Sequence, residues 1–445
     1  MVDEVEHAKH FNTCLLYILI GLMVLTGTIN SVFNKNIQKL KSIDIPFEQH
    51  HWILTFGMFI GEAFSIFAYT YIIIQRRKQK AKIVVEENSD VPMIKSSEEE
   101  KETKTEVKPP VPTNFIFCIS ASCDLIASTI GNFGLTYLPT SVWQMMRGME
   151  LIFVCLWSKI FLKNHVYRHH LLGLGTLFFG LILIGLNAII NKDKDAKTAK
   201  NPAVGISLMV VGQLFSSTCY TLQEKFIHHY EVHPFQLVGF EGVSGVSMYL
   251  VLLIIFQFSS CDTWSDKLRE GICFKNDKGK YHIEDSLFAL KQFGQSAVIT
   301  IHYICYIFSI ALYNIVGINL TKLVSSTARA VIDTTRTVFI WAFFMAFHPI
   351  EGTEEHFYPV QFVGFLFLLA GSLLYNEIIE VPYLNLNYFT RKQIAARARK
   401  EEEENNQKEN PERLYPNSIT NNEKNTENTN EKDEDNEKQK NESEE

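Results

Sequence analysis

Stretches of about 20 apolar residues recur along this chain, and they limit what it can fold into more than any other feature. In lipid the backbone amides have no water to bind, so a segment of this kind must satisfy them internally and is expected to be a helix. The alternating ten-residue strands of a membrane β-barrel are absent from the sequence. The pattern excludes a soluble globular enzyme and predicts an all-α integral membrane protein.

We predict ten transmembrane helices, each with ends that are uncertain by a few residues. They cover Leu15–Phe33, Trp52–Ile74, Thr113–Leu135, Ser141–Leu162, His170–Ile190, Ala203–Phe226, Leu237–Phe258, Phe293–Ile315, Ser325–Phe347 and Pro359–Glu380. The first is not predicted to be a cleaved signal peptide, because acidic rather than basic residues precede it and its apolar run is too long.

Two polar segments separate or follow these spans, at residues 75–112 and 381–445. Neither contains enough apolar residues to bury a core, so we expect a disordered linker and a disordered tail. The spans themselves group into residues 1–74, 113–190, 203–258 and 293–380, with a loop at 259–292.

The basic cluster after the second span gives the strongest signal for orientation and places both termini, the linker and the tail in the cytosol. The loop at 259–292 is then exofacial. Its Cys261 and Cys273 are either two free thiols or a disulfide, and the oxidising compartment favours the disulfide. The formal net charge is −7 and no basic stripe lies outside the helix flanks, which argues against a nucleic-acid partner.

The ten spans contain an internal repeat. Sliding the chain on itself by 186 residues superposes charges of span four on charges of span nine, and a shift of 191 superposes glycines of spans five and ten. The matched pairs are Arg147 with Asp333, Glu150 with Arg336, Gly173 with Gly364 and Gly180 with Gly371. Because five is odd, two five-helix repeats would be inverted in the membrane, which is typical of secondary transporters with a site near the midplane.

Ionisable residues inside the spans are costly and are functional candidates by default. We predict that they line a cavity and bind substrate, with Arg147 pairing locally with Glu150, and Asp333 with Arg329 or Arg336. With the amide residues Asn30 and Gln144 added to the ionisable ones, the complete predicted set is Asn30, Glu62, Asp124, Gln144, Arg147, Glu150, Arg329, Asp333 and Arg336. The competing interpretation is that ion pairs join the helices. We favour this structural role for Glu224 and Glu241, near the predicted cytosolic ends of their spans.

Small residues give a separate prediction about packing. Gly57 and Gly61 form a G-x-x-x-G motif, and Gly239, Gly242 and Gly245 line another helix. Such motifs allow close helix approach within a chain or between two copies. Internal packing is favoured, and a homodimer stays open.

An enzymatic alternative rests on the histidines at 165–170 and 228–233, which are spaced like the histidine boxes of membrane di-iron desaturases. A third box is missing, His50 and His51 fall on the opposite side, and that chemistry has no need of a repeat. The sequence also lacks a P-loop. We therefore predict no enzymatic activity, no metal and no cofactor.

Several blocks of sequence together resemble the drug/metabolite transporter superfamily, and within it the nucleotide-sugar-transporter-like solute carrier family 35, subfamily F. The similar blocks are Gly21–Ser31, Phe56–Ser65, Ser122–Ile126, Thr140–Met149, Gln223–Phe235, Val238–Val243, Thr327–Ala342 and Gly364–Ile378. They extend from span one to span ten, whereas residues 75–112 and the tail match nothing in the family.

The resemblance implies ten helices in two inverted repeats, a central cavity and alternating access. It implies functional roles for the residues that match the family's motifs. These are Asp124 in a Cys-Asp pair, Gln144 and Arg147 in a Gln-Met-x-Arg-Gly block, and Asp333 and Arg336 in an Asp-x-x-Arg-Thr block. The family usually has an apolar residue where Glu150 stands.

The resulting prediction is a secondary transporter of a small organic solute, a metabolite or nucleotide-sugar-like compound, in an endomembrane of the lysosome, vacuole or Golgi. The alternative is a non-transporting membrane scaffold or receptor.

Overall fold

The structure is a computed structural model that describes residues 2–42, 45–47, 50–89, 114–191, 201–263, 273–275, 281–346, 358–379, 381 and 387–409. The chain divides into two units, Met1–Ile379 and Glu380–Glu445. The first unit contains the membrane helices.

The elements of the first unit are almost entirely α-helices. They are α1 (Val2–Lys39), α2 (His51–Ala63), α3 (Ser65–Ser89), α4 (Phe117–Tyr137), α5 (Thr140–Met146), α6 (Met149–Phe161), α7 (Arg168–Ile190), α8 (Pro202–His229), α9 (Pro234–Phe258), α10 (Ser286–Gln295), α11 (Ala297–Leu323), α12 (Ser326–Ala346) and α13 (Pro359–Tyr375). Two short antiparallel pairs join β1 (Lys41–Ser42) to β2 (Ile45–Pro46) and β3 (Phe274–Lys275) to β4 (Tyr281–His282). In the second unit, α14 covers Arg391–Glu409.

Seven helical segments in the described residues are long and apolar enough to cross a membrane, and α13 is a shorter apolar helix. The seven are Cys14–Lys39, His51–Gln79, Phe117–Tyr137, Arg168–Ile190, Pro202–His229, Pro234–Phe258 and Ala297–Leu323. The chain is therefore an all-α integral membrane protein. Its outward faces agree with this, because Phe67, Ile190, Ile254 and Phe258 are exposed where a soluble protein would bury them.

Three predicted spans are not single continuous helices, and the first of them, span two, is divided at Phe64 between α2 and α3. Span four breaks at Arg147 and Gly148, between α5 and α6. Span eight was predicted to begin at Phe293, but that residue belongs to α10. The membrane helix α11 starts only after Ser296, whose hydroxyl accepts a hydrogen bond from the Ile299 amide and caps the new helix.

The disorder predicted for the polar segments is wrong where they begin. Helix α3 continues to Ser89, and α14 occupies residues predicted to be in the disordered tail. Both stretches are rich in Lys, Arg, Glu, Gln and Ala, which favour helix without a buried face. Residues 90–112, 382–386 and 410–445 of these predicted segments lie outside the described residues.

Close helix pairs form the frame of the unit. Helix α7 packs along α13, α4 along α8, α1 along α11 and α2 along α9, while α6 contacts α8 and α1 contacts α12. The glycines of the G-x-x-x-G motif pack inside the chain, since a Cβ at Gly57 would meet Tyr303 and one at Gly61 would meet Ile307 of α11. A Cβ at Gly242 would collide with the backbone of Ala63.

Candidate functional site

A polar cavity of about 110 Å³ lies among α1, α2, α4, α5, α8, α9, α11 and α12. Six of the predicted site residues line it: Asn30, Glu62, Asp124, Arg147, Arg329 and Arg336. Because Glu241 also lines the cavity, three guanidinium groups face three carboxylates there. An apolar bundle thus encloses a centre whose formal charges balance.

The break in span four places Arg147 at the cavity. Arg147 caps α5, and its guanidinium lies 5.5 Å from the centre of the Trp143 ring, whose indole N–H donates to the Gly131 carbonyl at 2.8 Å. Gln144 is buried beside it but does not line the cavity.

The predicted Arg147–Glu150 pair is wrong. Glu150 belongs to the next helix and accepts a short hydrogen bond from the Ser216 hydroxyl of α8, and no ion pair joins it to Arg147 in the described structure. The helix break explains this, since the three-residue spacing lies across a change of helix rather than on one continuous face. Glu150 therefore lies just outside the cavity, behind the lining residue Ser216.

Asp333 on α12 also lies behind the lining and is held by two tyrosines that do face the cavity. The Tyr313 hydroxyl donates to the Asp333 carboxylate at 2.6 Å, and the Tyr220 hydroxyl donates at 3.1 Å. Arg336 Nη2 lies 3.5 Å from Asp333 Oδ1, and its guanidinium lies over the Tyr313 ring at 4.6 Å. This is one of the two pairings predicted for Asp333.

Space for Arg336 is made by α1. A Cβ at Gly27 would lie 2.1 Å from Arg336 Nη1, so only glycine fits there without moving the guanidinium. The Nε of Arg336 is buried and makes no hydrogen bond within the described structure.

Arg329 begins a chain of polar contacts that reaches α9. Its guanidinium lies 3.8 Å from the centre of the Tyr220 ring, and it donates to Gln223 Oε1 at 2.9 Å. Gln223 in turn donates to Glu241 Oε2 at 2.9 Å. The sequence interpretation of Glu241 as an interfacial structural residue is wrong: it is 4% exposed and faces the cavity, because the glycine-rich face of α9 draws this helix against α2.

Glu224 is also buried rather than water-facing. Its Oε2 accepts hydrogen bonds from the backbone N–H and the hydroxyl of Ser326, at the start of α12. This contact ties two helices together, which is the structural role predicted for it, but without the access to water on which the prediction relied.

The two remaining carboxylates sit among amide and hydroxyl donors. Asn314 donates to Glu62 Oε1, whereas Oε2 of Glu62 is buried without a hydrogen-bond partner in the described residues. The Ser128 hydroxyl donates to Asp124 at 3.0 Å. Asn30 donates to the Ser309 hydroxyl at 3.2 Å.

Sequence reasoning missed several uncharged lining residues, because it looked mainly for charge. The missed residues include Tyr220, Gln223, Tyr306, Tyr313 and Asn314. A usable signal was present: tyrosine in membrane helices concentrates at the interfaces, so Tyr306, near the middle of span eight, indicates a polar interior.

Outside the bundle core, Cys261 and Cys273 are joined in a disulfide, the pair that the sequence predicts. Nearby, His50 Nδ1 and Glu284 Oε1 lie 2.5 Å apart, and both side chains are fully buried.

Comparison with known proteins identifies the family. No protein-family model matches the chain. Solute carrier family 35 member F6 of Mus musculus is 31% identical over 366 residues, which cover 81% of this chain and 88% of that protein. The Homo sapiens protein of the same name is 30% identical over the same shares. An uncharacterised Schizosaccharomyces pombe protein is 26% identical over 81% of this chain and 97% of its own length. The chain therefore belongs to solute carrier family 35, subfamily F.

Proposed function

We propose that this protein is a secondary-active transporter that moves an organic solute across a membrane by alternating access. The observation that carries the proposal is the central cavity, where Arg147, Arg329 and Arg336 face Glu62, Asp124 and Glu241. Charged groups at this depth are costly in a protein whose only task is to pack, and they mark substrate and ion pathways in membrane proteins.

The arrangement of helices supports two five-helix repeats. If spans one to five correspond to spans six to ten, exchanging the halves should convert each packed pair into another packed pair. The α1–α11 pair then becomes α8–α4, and the α1–α12 pair becomes α8 with α5 and α6; all of these pairs are in contact. Both α2–α9 and α7–α13 map onto themselves.

The α7–α13 interface supports the inverted relation of the repeats. Gly173 lies against Gly371, and Gly180 lies against Gly364, so the two helices run antiparallel. In the sequence repeat, Gly173 corresponds to Gly364 and Gly180 to Gly371. Each glycine therefore contacts the equivalent of the other, which is the reciprocal pattern of a two-fold axis. Ten helices in two inverted repeats are the arrangement we propose for the membrane portion.

The chemistry of the cavity suits a polar organic solute of the metabolite or nucleotide-sugar type. Guanidinium groups can bind anionic oxygens, carboxylates can accept hydrogen bonds from hydroxyl or amine groups, and the rings of Tyr220 and Tyr313 can stack on a planar group. In this proposal Asp333, Glu150 and Gln144 position the lining residues from behind, and Asn30 contributes an amide.

The decisive experiment first finds candidate solutes and then measures flux. Metabolites that differ between organelles with and without the protein are tested for uptake into liposomes that contain the purified chain. Arg147→Ala and Asp333→Asn should lower uptake at least about tenfold while the folded protein is recovered normally. Glu224→Gln is the matched control, since this buried carboxylate neither lines the cavity nor, unlike Asp333, accepts a hydrogen bond from a lining tyrosine, and it should keep its flux.

The result also separates transport from the alternative of a scaffold or receptor. Normal flux in both Arg147→Ala and Asp333→Asn would reject the assignment of these residues to the transport cycle. Absence of uptake for every differing metabolite by the unaltered chain would favour the scaffold. Low recovery of both variants would return Arg147 and Asp333 to a structural role, because a buried charge that loses its partner costs roughly 3–5 kcal/mol.

We further propose an endomembrane location with both termini in the cytosol. The basic cluster Arg76, Arg77 and Lys78 lies on α3 beyond the second apolar segment, and short basic flanks favour the cytosolic side. The Cys261–Cys273 disulfide then lies on the oxidising side. Protease protection of tags at the two termini in sealed organelles measures this orientation directly.

A further inference from the structure

The two histidine clusters of the sequence, at 165–170 and 228–233, have different surroundings in the structure. In the described residues only the first brings potential metal-ligating atoms close together. His228 lies 3.1 Å from the Thr321 carbonyl oxygen, and His233 caps α9. By contrast, His169 and His170 at the start of α7 converge on Glu377, just beyond the end of α13. In the described residues this is the group of His, Cys, Asp or Glu side chains whose ligand atoms all lie within 4.8 Å of one another.

The distances fit one ion. His169 Nε2 lies 3.1 Å and His170 Nε2 lies 3.7 Å from Glu377 Oε1. Ligand atoms about 2 Å from a tetrahedral Zn²⁺ are roughly 3.3 Å apart, so small adjustments would place all three atoms around one metal. The side chains are 9%, 17% and 12% exposed, which leaves them largely shielded and still within reach of the solvent.

The backbone at Glu377 gives an independent reason to expect a role for its side chain. The Glu377 and Ile378 amides donate to the carbonyls of Leu374 and Leu373, which closes α13 in a Schellman motif. Glu377 occupies the left-handed position of that motif, with φ 61°, where glycine is the usual residue. The other left-handed residues besides glycine in the described chain, Lys163 and Glu231, are exposed, whereas the Glu377 carboxylate points into the histidine pair.

The histidines are also held in place. The Tyr167 backbone N–H donates to His170 Nδ1 at 3.3 Å, which orients the ring with Nε2 toward Glu377. Metal binding at Nε2 would require the ring proton to move to Nδ1 and this long hydrogen bond to open. The Tyr375 ring packs on His170 with a centroid distance of 4.8 Å.

We propose that His169, His170 and Glu377 form a binding site for a divalent transition-metal ion of the Zn²⁺ class, which clamps the start of α7 to the end of α13. Two imidazoles and a carboxylate are a ligand set used for Zn²⁺ and Fe²⁺, and three protein ligands leave a position for water. The site lies apart from the residues that line the central cavity and was not expected from the sequence, because Glu377 is 208 residues from His169.

The test titrates Zn²⁺ into the purified, metal-stripped full chain in detergent, after removal of any affinity tag. We expect saturable binding of one equivalent, accompanied by a rise in the melting temperature. Glu377→Gly should weaken this binding at least about tenfold and abolish the melting shift. Because glycine is the preferred residue at this backbone position, the variant should fold without difficulty.

Glu231→Gly is the matched control, as it replaces a glutamate by glycine at another left-handed position. His165→Gln controls for an exposed histidine in the segment before α7. Both should bind Zn²⁺ like the unaltered chain. Absence of saturable binding in the unaltered chain would overturn the proposal, as would equal weakening in Glu377→Gly and Glu231→Gly, which would leave His169 and Glu377 as an ion pair only. Bound Co²⁺ provides a second measurement, because its visible absorption reports imidazole coordination and should disappear in His170→Asn.

Discussion

The glycine contact between α7 and α13 allows a prediction in which the same substitution on the same helix has opposite effects. A Cβ at Gly180 would lie 2.5 Å from the Gly364 carbonyl oxygen and 2.8 Å from the Leu368 amide nitrogen. A Cβ at Gly175 would have no atom within 4 Å. We expect Gly180→Ala to destabilise the protein and Gly175→Ala to stabilise it slightly.

The magnitude can be worked out from the distances. Ordinary contact needs roughly 3.5 Å, so Gly180→Ala must move α7 away from α13 by about 1 Å, and both obstructing atoms belong to backbone that cannot rotate away. Overpacking of this kind costs about 1–3 kcal/mol. Each alanine also gains about 0.8–1.0 kcal/mol of helix propensity over glycine. That gain is common to both variants, so the free energies of unfolding should differ by about 1–3 kcal/mol.

The assay is unfolding of the purified protein in mixed micelles with a rising fraction of denaturing detergent, followed by tryptophan fluorescence. Gly371→Ala provides the reciprocal variant, since its Cβ would lie 2.5 Å from the Leu177 amide nitrogen, and it should resemble Gly180→Ala. If Gly180→Ala were as stable as Gly175→Ala, the close antiparallel contact of α7 with α13 would be refuted, and with it the main support for the two-fold axis.

Three further predictions concern parts of the chain outside the cavity. Thiol labelling under denaturing, non-reducing conditions should miss Cys261 and Cys273, because their disulfide closes a loop and stabilises the fold by about 3 kcal/mol. Labelling of both cysteines in the mature protein would argue against the disulfide and the topology. Deleting Glu401–Glu445, a polar stretch without apolar periodicity, should leave the melting temperature and flux unchanged, whereas loss of flux in a correctly located truncation would contradict this. His233 Nδ1 accepts the Phe235 N–H at the start of α9, and burial, with Lys322 and Arg76, lowers the pKa of His233. The cap therefore stabilises the fold above the unfolded pKa of about 6.5, and this stabilisation is lost as the pH falls through the lower folded pKa. Between pH 7.5 and 5 the melting temperature should fall more for the unaltered chain than for His233→Asn. Equal falls in the melting temperature would exclude this role.

Much of the architecture could be predicted because membranes impose strong local rules. Within the described residues each predicted span overlaps one helix or two consecutive helices, since an apolar stretch in lipid must bond its own amides. The charged candidates Glu62, Asp124, Arg147 and Arg336 were equally recognisable, because a charge within an apolar span stands out and must be kept away from lipid.

The partners of these charges were not predictable, because they depend on which helices meet. Glu150 bonds to Ser216 on α8 instead of to its sequence neighbour Arg147, and Asp333 is held by tyrosines from α8 and α11. Glu241 was misinterpreted for the same reason, since its exposure is determined by the packing of α9 against α2 and not by its distance from the end of the helix.

The sequence alone determined that this chain spans a membrane as a bundle of helices, that the bundle encloses charged side chains, and to which family it is similar, because hydropathy, desolvation cost and motif order act locally. Only the tertiary structure decided where span four breaks, how three arginines and three carboxylates come to face one cavity, and that His169 and His170 meet Glu377. Those features arise when residues hundreds of positions apart are brought together by close helix packing, and no local pattern in the sequence encodes that contact.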